Sequence, residues 1–96
     1  MADPALLDPA VRNLRTALAD APRTPFVWRQ LAIALGRRGD IADSSLALAE
    51  EAMLLNKRPE AKYHAEKASR LLAQGSPGWL KAQDILQTIE QSKNRG

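Results

Sequence analysis

The chain contains no cysteine. That excludes disulfides, thiolate nucleophiles and sulfur-ligated metal sites, and it leaves the redox compartment open. Histidine occurs once, as His64. It has no second histidine four residues away and no HExxH around it, so the sequence has no zinc-site pattern. Aromatic residues are equally sparse: two Trp, one Tyr and one Phe. They are too few to stack bases, and no basic helix stands out, so nucleic acid is not an expected partner. No run approaches the roughly 20 apolar residues of a membrane span. The opening MADPALLDPA carries neither the basic region nor the apolar run of a signal peptide. Val and Thr are scarce and nothing alternates with period two, which argues against strands.

The candidates for catalysis are thin. Glu50 and Glu51 are neighbours, about 100° apart around a helix, and cannot flank one substrate atom as an acid–base pair. Ser44 and Ser45 have no His or Lys base nearby in sequence. The glycines of GRRGD, Gly36 and Gly39, follow a helix rather than a strand, and no GK[ST] appears, so a phosphate loop is not indicated. No catalytic, cofactor-binding or metal-binding residue is assigned, and the chain itself is not expected to be an enzyme or to need a cofactor.

What the sequence does hold is helix. Its 96 residues suit one small domain, and 45% of them are apolar, mostly Ala and Leu, which lose little side-chain entropy in helices. Pro, Gly and capping residues divide it into five segments. The first helix is expected over Asp8–Asp20, with Pro9 in its first turn and Pro22 beyond its end. Thr24 is placed as N-cap of a second helix that opens at Pro25 and ends near Arg38, with Gly39 taking a positive φ. Asp40 caps a third helix running to Leu55. The fourth runs from Pro59 to Ala73. The fifth starts after the Ser76 cap and runs to Gln91. Segment 1–7 and the tail 92–96 are expected to be flexible or frayed, leaving 8–91 as the domain. The connections are short, so consecutive helices must be antiparallel neighbours. The third helix, almost free of charge, should be buried on more than one side.

Repeats appear within this pattern. Ala10, Leu14 and Ala17 recur at steps of four and three, and so do Ala61, Ala65 and Ala68, and the small residues lie on one helical face that lets another helix approach closely. Each of those helices is followed by one that opens with tryptophan, Trp28 after TPFV and Trp79 after SPG. Leu31, Ala32 and Leu35 follow the first, and Ala82, Gln83 and Leu86 the second. WRQLAIALGRRGD, AVRNLRTALADAP and NKRPEAKYHAEKASRLL resemble half-units of tetratricopeptide (TPR) repeats. The resemblance implies an all-α, right-handed superhelix of about five antiparallel helices, with both tryptophans packed between helices. Trp28 and Trp79 are 51 positions apart, about one and a half units of ~34 residues, so the third helix must serve two registers.

Leu71, Leu72, Gly75, Ser76, Pro77, Trp79, Ala82, Gln83, Asp84, Ile85 and Leu86, in LLAQGSPGWLKAQDIL, are similar to the closing segment of the TPR region in bacterial HExxH zinc metallopeptidases of the BepA-like type. ALAEEAMLLNKRPEAKYHAEKA resembles the repeat before it, with Asn56-Lys57 in place of Gly-Asp. The resemblance implies a non-catalytic C-terminal domain of a peptidase, in the periplasm, that positions clients or an assembly complex. The start at MADPALL suits an excised fragment of such a parent; without that parent the compartment would be the cytoplasm.

The expected role is a protein- or peptide-binding module. Phe26, Arg29, Ile33 and Arg37 lie between the core positions of the Trp28 helix, with the two arginines ready for a carboxylate. They could instead meet the catalytic domain of the parent chain. A monomer is expected. The alternative is a structural cap or homodimerisation element built on the Ala- and Leu-rich end helices. Net charge is +3. Arg37, Arg38, Lys57, Arg58, Lys93 and Arg95 lie mainly at helix ends, where the macrodipole accounts for them, with an acid- or phosphate-binding patch as the other reading.

Overall fold

The computed structural model describes the backbone of residues 4–94 and the side chains of residues 6–93. Five helices follow one another: α1 Pro4–Asp20, α2 Pro25–Arg38, α3 Ile41–Leu54, α4 Arg58–Leu71 and α5 Pro77–Asn94. No strand occurs among the described residues. The molecule measures 45 × 26 × 21 Å. An 18-residue helix such as α5 is only about 27 Å long, so the longest axis is the direction in which helices are stacked.

Helix ends follow local chemistry. Gly39, at φ 92°, closes α2 with the Asp40 N–H donating to the Leu35 carbonyl at 2.9 Å, a Schellman arrangement. Asn56 closes α3 in the same way. Its φ is 58°, and the Lys57 N–H reaches the Ala52 carbonyl at 2.8 Å. Asn is the non-glycine residue best able to take this left-handed conformation. The start of α5 is a true side-chain cap: the Trp79 N–H donates to Ser76 Oγ at 3.3 Å.

Two expected caps act differently. Thr24 stands at the N-cap position of α2, but its hydroxyl donates back to the Ala21 carbonyl at 2.9 Å. Asp40 precedes α3, but its carboxylate accepts from Arg38 Nε at 2.6 Å. α1 begins a turn earlier than Pro9 suggests. Leu7 is buried and Asp8 pairs with Arg38 Nη1 at 3.1 Å, so contacts with α2 hold a turn that the proline disfavours. Residues 4–7 are therefore helical, as are 92–94, where fraying was expected; 1–3 and 95–96 lie outside the described residues. α4 stops at Leu71, short of Ala73, because Leu72 is extended with ψ 151°.

The face of α1 that meets α2 is also offset from expectation. Leu7, Val11 and Leu18 are buried and Leu14 half-buried, whereas Ala17 is exposed. Burial goes to the stripe with more apolar area. On α4 the small stripe is the packing face: Ala61, Ala65 and Ala68 are each 0% exposed.

Packing forms two cores that share α3. The first gathers Val11, Leu18, Leu31, Leu35 and Ala47, with Trp28 against it. The second gathers Ala49, Ala52, Ala61, Ala65, Ile85 and Ile89. α3 touches α2, α4 and α5, whereas α1 touches only α2. Trp28 donates its indole N–H to the Pro22 carbonyl at 2.8 Å and so ties the α1–α2 turn to α2. Trp79 is half-buried and belongs to neither core. Beside it, a Cβ on Gly78 would lie 3.1 Å from Leu72 Cδ1, so glycine lets the α4–α5 connection fold closely against the start of α5.

Asn56 gives the first prediction. Replacing it by Ala should destabilise the chain by about 1–2 kcal/mol, while Asn56→Gly should be neutral or stabilising. Urea denaturation of the three proteins would show the ordering.

Candidate functional site

α2 and α3 cross with small residues at the contact. Ala32 and Gly36 of α2 face Ser44 of α3, whose hydroxyl donates to the Ala32 carbonyl at 2.7 Å. Small side chains bring the two backbones together but leave the surface above them unfilled. The result is an open groove of about 350 Å³. Ile33 and Leu48 supply its apolar walls, and Arg29 and Arg37 stand at its rim.

Three of the four residues expected at a binding face, Arg29, Ile33 and Arg37, therefore meet in one groove. Ile33 is 39% exposed there. Phe26 is 71% exposed on the same helix but does not line the groove. Arg29 departs from expectation in its chemistry. Its carboxylate is already present in the chain: Arg29 Nη2 lies 2.8 Å from Glu51 Oε1, and Arg29 Nε donates to Oε2 at 2.9 Å. Such a two-pronged pair fixes both groups. Glu51 is buried, at 8% exposure, so this pair provides the stabilisation its carboxylate would otherwise get from water. Arg37 makes no ion pair among the described residues and is the rim cation left for a ligand.

Beyond the Arg29–Glu51 pair lies a smaller hollow of about 90 Å³, between α3 and α4, walled by Leu48, Glu60 and His64. His64 stacks edge-on against Tyr63, ring centres 5.2 Å apart. Its pKa is lowered below 6.5, first by burial and then by the cations Lys67 and Arg29. Glu50 points elsewhere. Burial raises its carboxyl above the ordinary range, and Lys81 on α5 partly offsets this. Glu50 and Glu51 thus answer to different helices and do not form a pair. Among the described residues, no group of three or more His, Cys, Asp or Glu is placed to hold a metal ion. Among the same residues, no helix is long and apolar enough to cross a membrane.

Glu51, Ser44 and Gly36, weighed in the sequence only for catalysis or phosphate binding, line these hollows together with Leu48, and none of the four was expected at a binding face. The helical step of four and three from Ser44 through Leu48 to Glu51 is the signal that could have found the α3 wall. Comparison with protein-family models, curated proteins and solved structures finds no match to this chain.

Two outcomes follow from the pair and the histidine. Arg29→Ala leaves a buried carboxylate unpartnered and should cost about 1–3 kcal/mol; adding Glu51→Leu should restore much of that loss in the same denaturation assay. For His64 the unfolded state holds the proton more tightly than the folded one. Stability is therefore full above 6.5 and declines as pH falls below it. His64→Gln should flatten that part of the stability–pH curve.

Proposed function

We propose that this chain is a non-catalytic protein–protein interaction module of TPR-like architecture, whose α2–α3 groove takes a short peptide segment of a partner. The observation that carries the proposal is the convergence of Ile33, Leu48 and the unpaired Arg37 on one open groove over a floor of small residues. Such a site has apolar surface for one or two side chains and one cation for a carboxylate.

One helix contact supports the repeat reading, although the equivalent contact between α1 and α3 does not occur among the described residues. α3 touches its neighbour α4 and also α5, as the first helix of a repeat touches its own partner and the first helix of the next unit. In this phasing α3 and α4 form a pair and Trp79 opens the following helix. The exposed residues of α5 include Lys81, Asp84, Gln87, Thr88, Glu90 and Gln91, with Leu80 the one large apolar side chain. A polar outer face suits a capping helix and gives little purchase to a second copy. That favours a monomer over homodimerisation through α5.

On the resemblance of LLAQGSPGWLKAQDIL, the module would belong to the C-terminal part of an HExxH zinc peptidase. There it would hold the protease near its clients or an assembly complex in the periplasm, or seat its own catalytic domain.

Amide shift mapping tests the groove. The probe is a synthetic peptide with two leucines and one glutamate among neutral residues. Shifts should concentrate on Ile33, Gly36, Arg37 and Leu48, and Arg37→Glu should weaken binding about tenfold. Shifts scattered over all helices, or none, would defeat the proposal.

A further inference from the structure

A second cleft lies at the other end of the molecule, where the first turn of α4 meets the last turns of α5. Its volume is about 210 Å³, and Arg58, Pro59, Lys62, Ile89 and Lys93 line it. Three of the five are cations and none is acidic. None of the three makes an ion pair among the described residues. Ile89 belongs to the second core and is only 3% exposed, so the floor is anchored in packed interior.

The cations are not all explained by the helices. Lys93 lies in the last turn of α5, where the macrodipole favours it. Arg58 and Lys62 lie in the opening turns of α4, where it does not. They are also four residues apart on one face, a spacing at which like charges repel. An anionic ligand between them would relieve that repulsion.

We infer that the α4–α5 cleft is a docking site for an acidic peptide segment carrying one bulky apolar side chain. Charge complementarity selects the partner's sign, since three uncompensated cations surround the opening. The apolar content selects a peptide over a bare anion: Pro59, Ile89 and the lysine stems give a pocket larger than the roughly 150 Å³ that admits a benzene ring. One leucine or phenylalanine fits, with carboxylates before and after it reaching Arg58, Lys62 and Lys93. This site is separate from the α2–α3 groove and does not depend on it.

The test uses the full chain and a fluorescein-labelled peptide, Glu-Asp-Leu-Glu-Glu, read by anisotropy at about 0.01 M and about 0.15 M salt. Binding should weaken as salt rises. Lys62→Glu should reduce affinity about tenfold or more, while its melting temperature changes little, because relief of the Arg58 repulsion is offset by a new like-charge spacing to Glu66. Arg12→Glu, an equal change of net charge on exposed α1, should leave affinity unchanged. Replacing the peptide's leucine by serine should weaken binding several-fold. Equal losses for Lys62→Glu and Arg12→Glu would reduce the effect to net charge and overturn the assignment. So would undiminished binding of the serine peptide. Tighter capture by phosphatidylglycerol vesicles, lost in Lys62→Glu, would assign the cleft to a membrane surface instead. Arg37→Glu, which disables the α2–α3 groove, should not alter any of these readings.

Discussion

Everything in this fold rests on α3 being narrow. Its inward residues are Ala47 toward α2 and Ala49 and Ala52 toward α4 and α5, on opposite sides of one helix. Alanine adds little volume beyond the backbone, so three neighbours approach one helix without competing for space. Neither core is large, and the bulkiest wholly buried side chains are Leu31 and Leu35 of α2. Two small cores become one cooperative unit because they share a wall. A side chain enlarged on α3 would push on both at once, and overpacked helices shift rather than compress.

The groove is the other face of the same constraint. Where α2 crosses α3, Ala32, Gly36 and Ser44 are small enough for close contact, and no side chain is left to cover the crossing. Close packing below and an open surface above come from the same residues. The polar atoms at the crossing are accounted for: Ser44 donates to Ala32, and Glu51 is held by Arg29. No buried side-chain nitrogen or oxygen among the described residues lacks a partner. The site is thus preformed, and a ligand that enters it need not reorganise a polar network.

Much of the architecture could be read in advance because its markers are local. Pro25, Gly39 and Pro77 act through their own backbone, and Thr24 and Ser76 through hydrogen bonds to residues three positions away, and each lies where a helix starts or stops. Asn56 was harder to read, because Asn takes the left-handed conformation only when a Schellman closure rewards it. The extra turn of α1 depended on Leu7 and Asp8 finding partners on α2, which no local rule contains. The α2 wall of the groove was legible from helical spacing. Glu51 was not, since its partner Arg29 lies 22 residues away on another helix. The alanines of α1 misled for a related reason: Ala10 and Ala17 have the right spacing, but Leu7, Val11 and Leu18 have the same spacing and more area to bury.

The distribution of charge completes the picture. A net charge of +3 is modest, and by itself it says little about binding. The structure divides the cations into those with internal partners and those without. Arg29 is committed to Glu51, and Arg38 to Asp8 and Asp40. These arginines join helices, and their field is largely cancelled where it arises. Arg58, Lys62 and Lys93 have no such partners and share one cleft over an apolar floor. Positive charge that serves packing is neutralised in place. Positive charge left uncompensated at a concave apolar surface raises the local potential without lowering the energy of the fold. Partner selection at this surface therefore depends on which cations the fold has already used, more than on how many the sequence contains.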